Sequence, residues 1–448
     1  MAQNILQYAG EFNLDTLKFY SSKDTFADIS NTVISIDLNE NIYQCSVIGT
    51  IVVGDTNNLI EKLPITGQEY VDLKISTPGA EKSEDSIDFT GDRKLYVSGV
   101  IARESLTSGS QVFTLEVSTI EPLRNQNIRI SKSYTKTISD IVRDILENTL
   151  QVSKPPFIEK TKGIRRIVVP NNQPFTIINQ LKKEAKSEQY DSPHYLFFEN
   201  KDGFHFRTFQ DLVNQPIIMR FNTGDKNLDE DKNNSGSLKK IDGKLINSFN
   251  RILQYKFSNL NSWYNDSLSG MLGSTLFTHD IYTKSYTKQT FDYLNDFDKY
   301  GRIRNVKPMY NETSLRNDFG TCENSRIFVH PVSRLGVDKL SKDAQYYTDN
   351  KAQYDNSVPE DFITNRTSKM AELDSGMSIN MIIQGHTGIS AGSMVNINFP
   401  VVGEDHDDEI IEKSTSGNYL ISHLRHSFVP VTRKHEIHLR VIKDGKGV

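Results

Sequence analysis

The sequence predicts a mainly β protein carrying an α+β module, built around two similar antiparallel β-barrels, the second interrupted by an inserted domain. Three observations predict it. A set of three strand-like patterns occurs twice, in one order and at nearly one spacing. Two amphipathic helices and an aromatic hairpin lie between the sets. A long stretch rich in Asn, Asp and Tyr separates one strand of the second set from the rest.

The repeat begins with "VDLKISTP", Val71 to Pro78, and "VNINFP", Val395 to Pro400. Each reads V-x-[LI]-x-[IF], follows a glycine (Gly67 or Gly392) and ends on a proline. Period-two alternation marks a half-buried strand, and the proline marks its exit. Twenty-five residues after Val71, Tyr96 opens "YVSGVIARES"; twenty-four after Val395, Tyr419 opens "YLISHLRHSF". Phe113 then opens "FTLEV" seventeen residues on, and Ile437 opens "IHLRV" eighteen residues on. Alternating strands resemble one another anyway; shared spacings point to a duplication.

The second copy contains "HLRHSFVPVTRKHEIH", with four of the chain's ten histidines in two HxxH pairs. Closely spaced histidines suggest a transition-metal site. Superposing the copies puts His423 on Val100, His426 on Arg103, His435 on Gln111 and His438 on Thr114, none of them a metal ligand. Residues i and i+3 of a strand also point to opposite faces, which splits each pair. We therefore expect a hairpin with histidines on a partly polar face. A pH-sensitive contact or a site shared by adjacent strands are the alternatives.

No residue is assigned a catalytic, cofactor-binding or metal-binding role, and no cofactor is expected. "DKNLDED", Asp225 to Asp231, imitates a calcium loop but has Glu230 at position six and Gly236 at position twelve, where Gly and Glu are required. It reads as a solvated loop, as does the acidic "GEDHDDE", Gly403 to Glu409. No GxSxG, P-loop, GxGxxG or HExxH occurs.

At roughly 100–200 residues per domain, 448 residues suggest three or four domains. No apolar run reaches transmembrane length, so membrane insertion is not expected. The opening "MAQNILQYAGEFNL" lacks a secretory pattern, and two cysteines, Cys45 and Cys322, suit a reducing compartment. A net charge of −5 with no basic stripe argues against gripping nucleic-acid phosphates.

Residues 1–125 are expected to form the first barrel and residues 126–215 the module. In the module, "TISDIVRDILENT" spaces Ile138, Ile141, Val142, Ile145 and Leu146 as an amphipathic helix, with Thr137 and Asp140 as its cap. "RIVVP" reads as a strand, "PFTIINQLKKEAK" as a helix with Pro174 in its first turn, and "YLFFENKDGFHFRTF" as a hairpin turning at Asp202-Gly203. Residues 216–257 and 374–448 are expected to form the second barrel, with "NSFNRILQYKF" supplying a strand. Residues 258–373, holding the only tryptophan, Trp263, are expected to be an irregular insertion, left through the helix "EDFITNRTSKMAEL".

Taken in order, these stretches resemble the baseplate hub protein of contractile-tailed bacteriophages of the T-even type. "ISNTVISIDLNENIY" and "GDTNNLIEKLPITGQEYVDLKISTP" resemble its first tube-like barrel. "SKSYTKTISDIVRDIL" and "VVPNNQPFTIINQLKKEA" resemble the module, and "INMIIQGHTGISAGSMVNINFP" with "GNYLISHLRHSF" the second tube-like barrel. The resemblance implies a homotrimer in which three subunits supply a ring of six similar barrels, joining a sixfold tail tube protein to a threefold central spike protein. It implies passage of DNA through the channel without specific binding, a place in the virion tail baseplate after assembly in the host cytoplasm, and no enzymatic role. Other readings are a type VI secretion-like hub, a metal-dependent hydrolase using the histidines, and a carbohydrate-binding module using the aromatic hairpin. Bound zinc and glycan binding discriminate the last two. The chain's ending just after the second barrel favours a spike on a separate chain.

Overall fold

A computed structural model describes residues 6–21, 25–56, 59, 67, 69–79, 85–107, 109–223, 248–259, 263–281, 284–303, 322–332, 358–401 and 411–444. The calcium-like stretch 225–231 and the acidic stretch 403–409 lie outside them.

The first unit contains β1 (Asn13–Tyr20), β2 (Phe26–Asp28), β3 (Val33–Asn41), β4 (Ile48–Asp55), β5 (Tyr70–Ser76), β6 (Ile87–Phe89), β7 (Leu95–Thr107) and β8 (Ser110–Ser118). They pair in the order β3-β4-β8-β7-β5-β1-β2, with β6 on β5. Alternation drives the curl: Ile51 and Val53, Val71 and Leu73, Leu95 and Val97, Leu115 and Val117 turn one face of each strand into a common core.

The module follows with α1 (Glu121–Asn127), β9 (Ile130–Lys136), α2 (Ile138–Asp144), β10 (Phe157–Ile158), β11 (Arg165–Asn172), α3 (Pro174–Glu184), β12 (Tyr195–Asn200), β13 (Gly203–Thr208) and α4 (Phe209–Val213). The Thr137 hydroxyl accepts the Asp140 amide, capping α2 as expected. The helix then widens into a π turn, Ile145–Thr149. The hairpin turns at Asp202-Gly203, where Gly203 holds φ at +137°. Phe197, Phe204 and Phe206 are buried against Ile141, Val142 and Ile178, so the aromatic stripe is core.

The second unit is formed by β14 (Ile217–Asn222) and β15 (Ile252–Asn259), then, after an insertion, by further strands. The insertion carries α5 (Trp263–Leu268), β16 (Gly273–Asp280), β17 (Ser285–Asp292), β18 (Ile327–Val332) and α6 (Pro359–Ser375). It is less irregular than its composition suggested. β16 pairs with β17 and β18, because Thr-rich alternation survives in a stretch dominated by polar residues. The unit closes with β19 (Met377–Gln384), β20 (Met394–Asn398), β21 (Gly417–Val429) and β22 (Lys434–Lys443), ordered β15-β19-β22-β21-β20-β14. A bridge between Asn222 and Arg251 brings its ends together. One pair departs from the antiparallel expectation: β14 runs parallel to β20. The long connection from β14 to β15 frees β14 from hairpin geometry. The leading residues also cross over. Leu6 joins the second core, and the Gly10 carbonyl accepts the His435 amide.

The duplication holds at the level of register. β3, β4, β5, β7 and β8 correspond to β15, β19, β20, β21 and β22. Val33 and Ile252 are each followed by a register shift against the next strand, and so are Val97 and Ile421. Val71 faces Leu95 as Val395 faces Tyr419, so Tyr419 corresponds to Leu95 and the repeat spacing is equal there. The tyrosines compared in the sequence are one residue out of step. Arg103 faces Phe113 as His426 faces Ile437, in agreement with the superposition. His423 falls on Gly99 instead of Val100, because β7 has a bulge after Val100 that β21 lacks.

Candidate functional site

Among the described residues the feature the fold builds is a seam. β21 of the second unit pairs antiparallel with β3 of the first, His423 opposite Asn41 through Phe428 opposite Ile36. The pairing fuses both units into one 14-stranded sheet. A barrel edge is a row of unmet amides and carbonyls, and each unit uses one such edge to satisfy the other. Phe428 crosses the boundary into the first unit's core, its ring 5.1 Å from Phe12. On the solvent side Arg425 pairs with Asp37 at 3.0 Å.

Beneath the seam a buried polar network ties both units to the module. The Glu40 carboxylate accepts the Lys201 amide at 2.7 Å and the Ala391 amide at 2.8 Å, one from the module and one from the second unit. Burial pushes its carboxyl up to about 7 despite those bonds. Next to it, Glu199 accepts the Val47 amide and the Thr119 hydroxyl and pairs with Arg93 at 3.1 Å. Burial first, then the nearby Glu121, pushes Glu199 up to about 7. Arg93 also donates to the Asn200 and Lys201 carbonyls at the hairpin turn. Buried charges persist only when satisfied on several sides, and here the partners come from three bodies. Sequence reading missed these residues. A signal existed for Glu40: it follows Ile36 and Leu38 at period two, a charge in the core phase of a strand.

The histidines divide as alternation requires. His426 and His435 are buried, whereas His423 and His438 are only partly so. His426 Nδ1 and His435 Nε2 lie 3.0 Å apart across the hairpin, and Phe428 stacks on the His435 ring at 4.1 Å. Burial pushes the His426 imidazolium down to about 3 and lowers His435 well below the ordinary range. Among the described residues no three His, Cys, Asp or Glu side chains stand as a ligand set. Across the seam runs an open groove of about 760 Å³, its rim set by Asn39, Asn41, Asn380, Arg425, His438 and Arg440. Asn and Gln amides line it together with three cations, Lys256, Arg425 and Arg440, of which Arg425 is paired with Asp37. No described helix is long and apolar enough to cross a membrane.

Paired β-units fused edge to edge over a buried polar lock define a two-unit β scaffold. Comparison with known proteins narrows this. The chain resembles the baseplate hub proteins of contractile-tailed, T-even-like phages: it is 22% identical over 415 residues to the probable baseplate hub protein gp334 of Vibrio phage KVP40, covering 91% of this chain and 89% of that protein. The tail protein from Neisseria meningitidis MC58 shares its fold, with a TM-score of 0.50, 7% identity and 97% of each chain covered. So does the 43 kDa tail protein of prophage MuSo2 from Shewanella oneidensis, with a TM-score of 0.50, 9% identity, and 96% and 98% covered. No family model matches the chain.

Proposed function

We propose that this protein is the structural hub of a contractile phage tail baseplate, a homotrimer whose six similar barrels form one ring. The ring joins a sixfold tail tube on one face to a threefold central spike on the other and lets DNA pass. The observation that carries this reading is the edge-to-edge fusion of two equivalent units within one chain. Two like units per subunit let three subunits present six near-equivalent positions under threefold symmetry. In this reading residues 1–125 form one barrel, 216–257 with 374–448 the other, 126–215 the bracing module, and 258–373 an insertion carried outside the ring. The net charge of −5 supports passage of DNA, because tight phosphate contacts would hold the genome back. The place of action is the virion tail, after assembly in the host cytoplasm, and the role requires no catalysis.

Light scattering over a concentration series tests this. A mass near three times 51.0 kDa is expected for the protein alone, or that mass plus the bound spike after the cognate spike protein is added. A monomer under both conditions would overturn the ring.

A further inference from the structure

A second buried charge cluster lies away from the seam, where α6 meets the end of β22. Lys369 Nζ stands 2.8 Å from Glu372 Oε2, one turn further along α6. It stands 3.1 Å from Oδ2 of Asp444, the residue after β22. The three side chains are 3%, 1% and 0% exposed. The Phe209 ring lies 4.4 Å from the same Nζ. Gly376 permits the close approach of the two elements: a Cβ there would meet the Lys443 carbonyl oxygen at 2.7 Å.

Other buried cations of the molecule lack this combination. Arg93 faces Glu199 in a buried site, but a guanidinium keeps its proton and is no nucleophile. Lys201 is as deep, but the carboxylate of its partner Asp202 is 39% exposed. At Lys369 an amine, a carboxyl carbon and a carboxylate able to carry protons are held together out of solvent. The Glu372 carboxylate also accepts from the Tyr293 hydroxyl and from Arg302 through Oε1. The cluster thus holds two cations and two carboxylates.

We propose that Lys369 and Asp444 form an intramolecular isopeptide bond, with Glu372 as the catalytic residue. One ammonium proton passes through Glu372 Oε2 to Oδ1 of Asp444. The neutral amine attacks Cγ, forming the N–C bond and a tetrahedral centre. The Ile303 amide, 3.0 Å from Oδ2, steadies the oxygen that becomes negative. A second nitrogen proton passes through Glu372 to the Oδ1 hydroxyl. The Cγ–Oδ1 bond breaks and water leaves, both its hydrogens having come from the nitrogen. No oxidant or outside reactant is consumed. Holding amine and carboxyl in one geometry supplies the entropy that a bimolecular condensation would lose. The product replaces two buried charges by a neutral amide and leaves Glu372 paired with Arg302, so no buried charge is orphaned. The bond joins residues 75 apart in sequence and encloses β19 to β22. It fastens the last strand of the second unit to the helix that leaves the insertion, whether or not the chain forms a ring.

The test is the intact mass of the denatured full-length protein, followed by protease digestion. The mass is expected to fall one water below that of the sequence. The digest is expected to yield one branched peptide joining the segments that hold Lys369 and Asp444. Lys369→Arg keeps the charge without the nucleophile, and is expected to show no water loss and linear peptides only. In freshly synthesised protein, Glu372→Gln is expected to form the bond at least about a hundredfold more slowly than the parent. Circular dichroism checks that each variant folds, and the parent's own mass and digest decide the bond without any variant. A parent at its full sequence mass after prolonged incubation would overturn the proposal. So would a parent that has lost a water but gives only linear peptides. A branched peptide forming equally fast in Glu372→Gln would overturn the role of Glu372.

Discussion

At the residue scale the molecule turns on Glu40. Its two carboxylate oxygens meet amides of the module and of the second unit, so one side chain holds three parts in register. Glu40→Ala leaves the Lys201 and Ala391 amides buried without acceptors, at about 1–3 kcal/mol each. Glu40→Gln keeps one carbonyl oxygen and is expected to lose about half as much. Urea unfolding of the two variants measures this, and equal losses would mean that the bonds do not carry the effect. Glu40 was legible as an oddity in "ISIDLNENIY", but its partners were not. They arrive from sequence separations of 161 and 351 residues.

At the element scale the helices and hairpins followed their local rules. "PFTIINQLKKEAK" forms α3 with Pro174 at its start, burying Ile177, Ile178 and Leu181 on one side. Ile178 is fully buried beneath the aromatic hairpin. Ile178→Ala is expected to cost about 2–5 kcal/mol through the cavity it opens, and thermal unfolding would show it; a loss near zero would mean that the module repacks around the gap. Elements that escaped the sequence did so for a physical reason. The π turn after α2 is set by the Leu150 amide reaching the Ile145 carbonyl, a choice of one extra residue that no periodicity announces. The extra bulge in β7 moved His423 from Val100 to Gly99, since a bulge changes which residues face each other without changing the alternating composition. β17 and β18 were hidden because both are mostly exposed, and the strand they flank, β16, carries the burial.

At the scale of the whole molecule, buried histidines tie stability to pH. His386 is pushed down to about 4 and His426 to about 3, each by burial. Their unfolded values lie near 6.5. A depressed folded value means that the unfolded chain binds the proton first, so this contribution is present above about 6.5 and is lost as pH falls toward 4. Glu40 and Glu199 work in the opposite sense. Their folded values near 7 stand above about 4.5, so what they contribute is present at low pH and lost as pH rises through 7. Comparing His426→Asn with the parent isolates one histidine from this opposition. Between pH 6.5 and 4 the variant's unfolding free energy should fall less steeply, by about one proton or ~1.4 kcal/mol per pH unit. Identical slopes would show that His426 is charged when folded.

The sequence by itself determined the repeat, the strand phases, the two main helices of the module and the place of the insertion. Each follows from short-range periodicity and from spacings that duplication preserved. Only the tertiary structure decided that the two units share one sheet, that Glu40, Arg93 and Glu199 form a lock beneath it, and that β14 runs parallel to β20. The physical reason is one of range. Alternation tells a strand which face to bury, whereas the neighbour it takes on each edge is chosen by backbone hydrogen bonds that carry no side-chain signature.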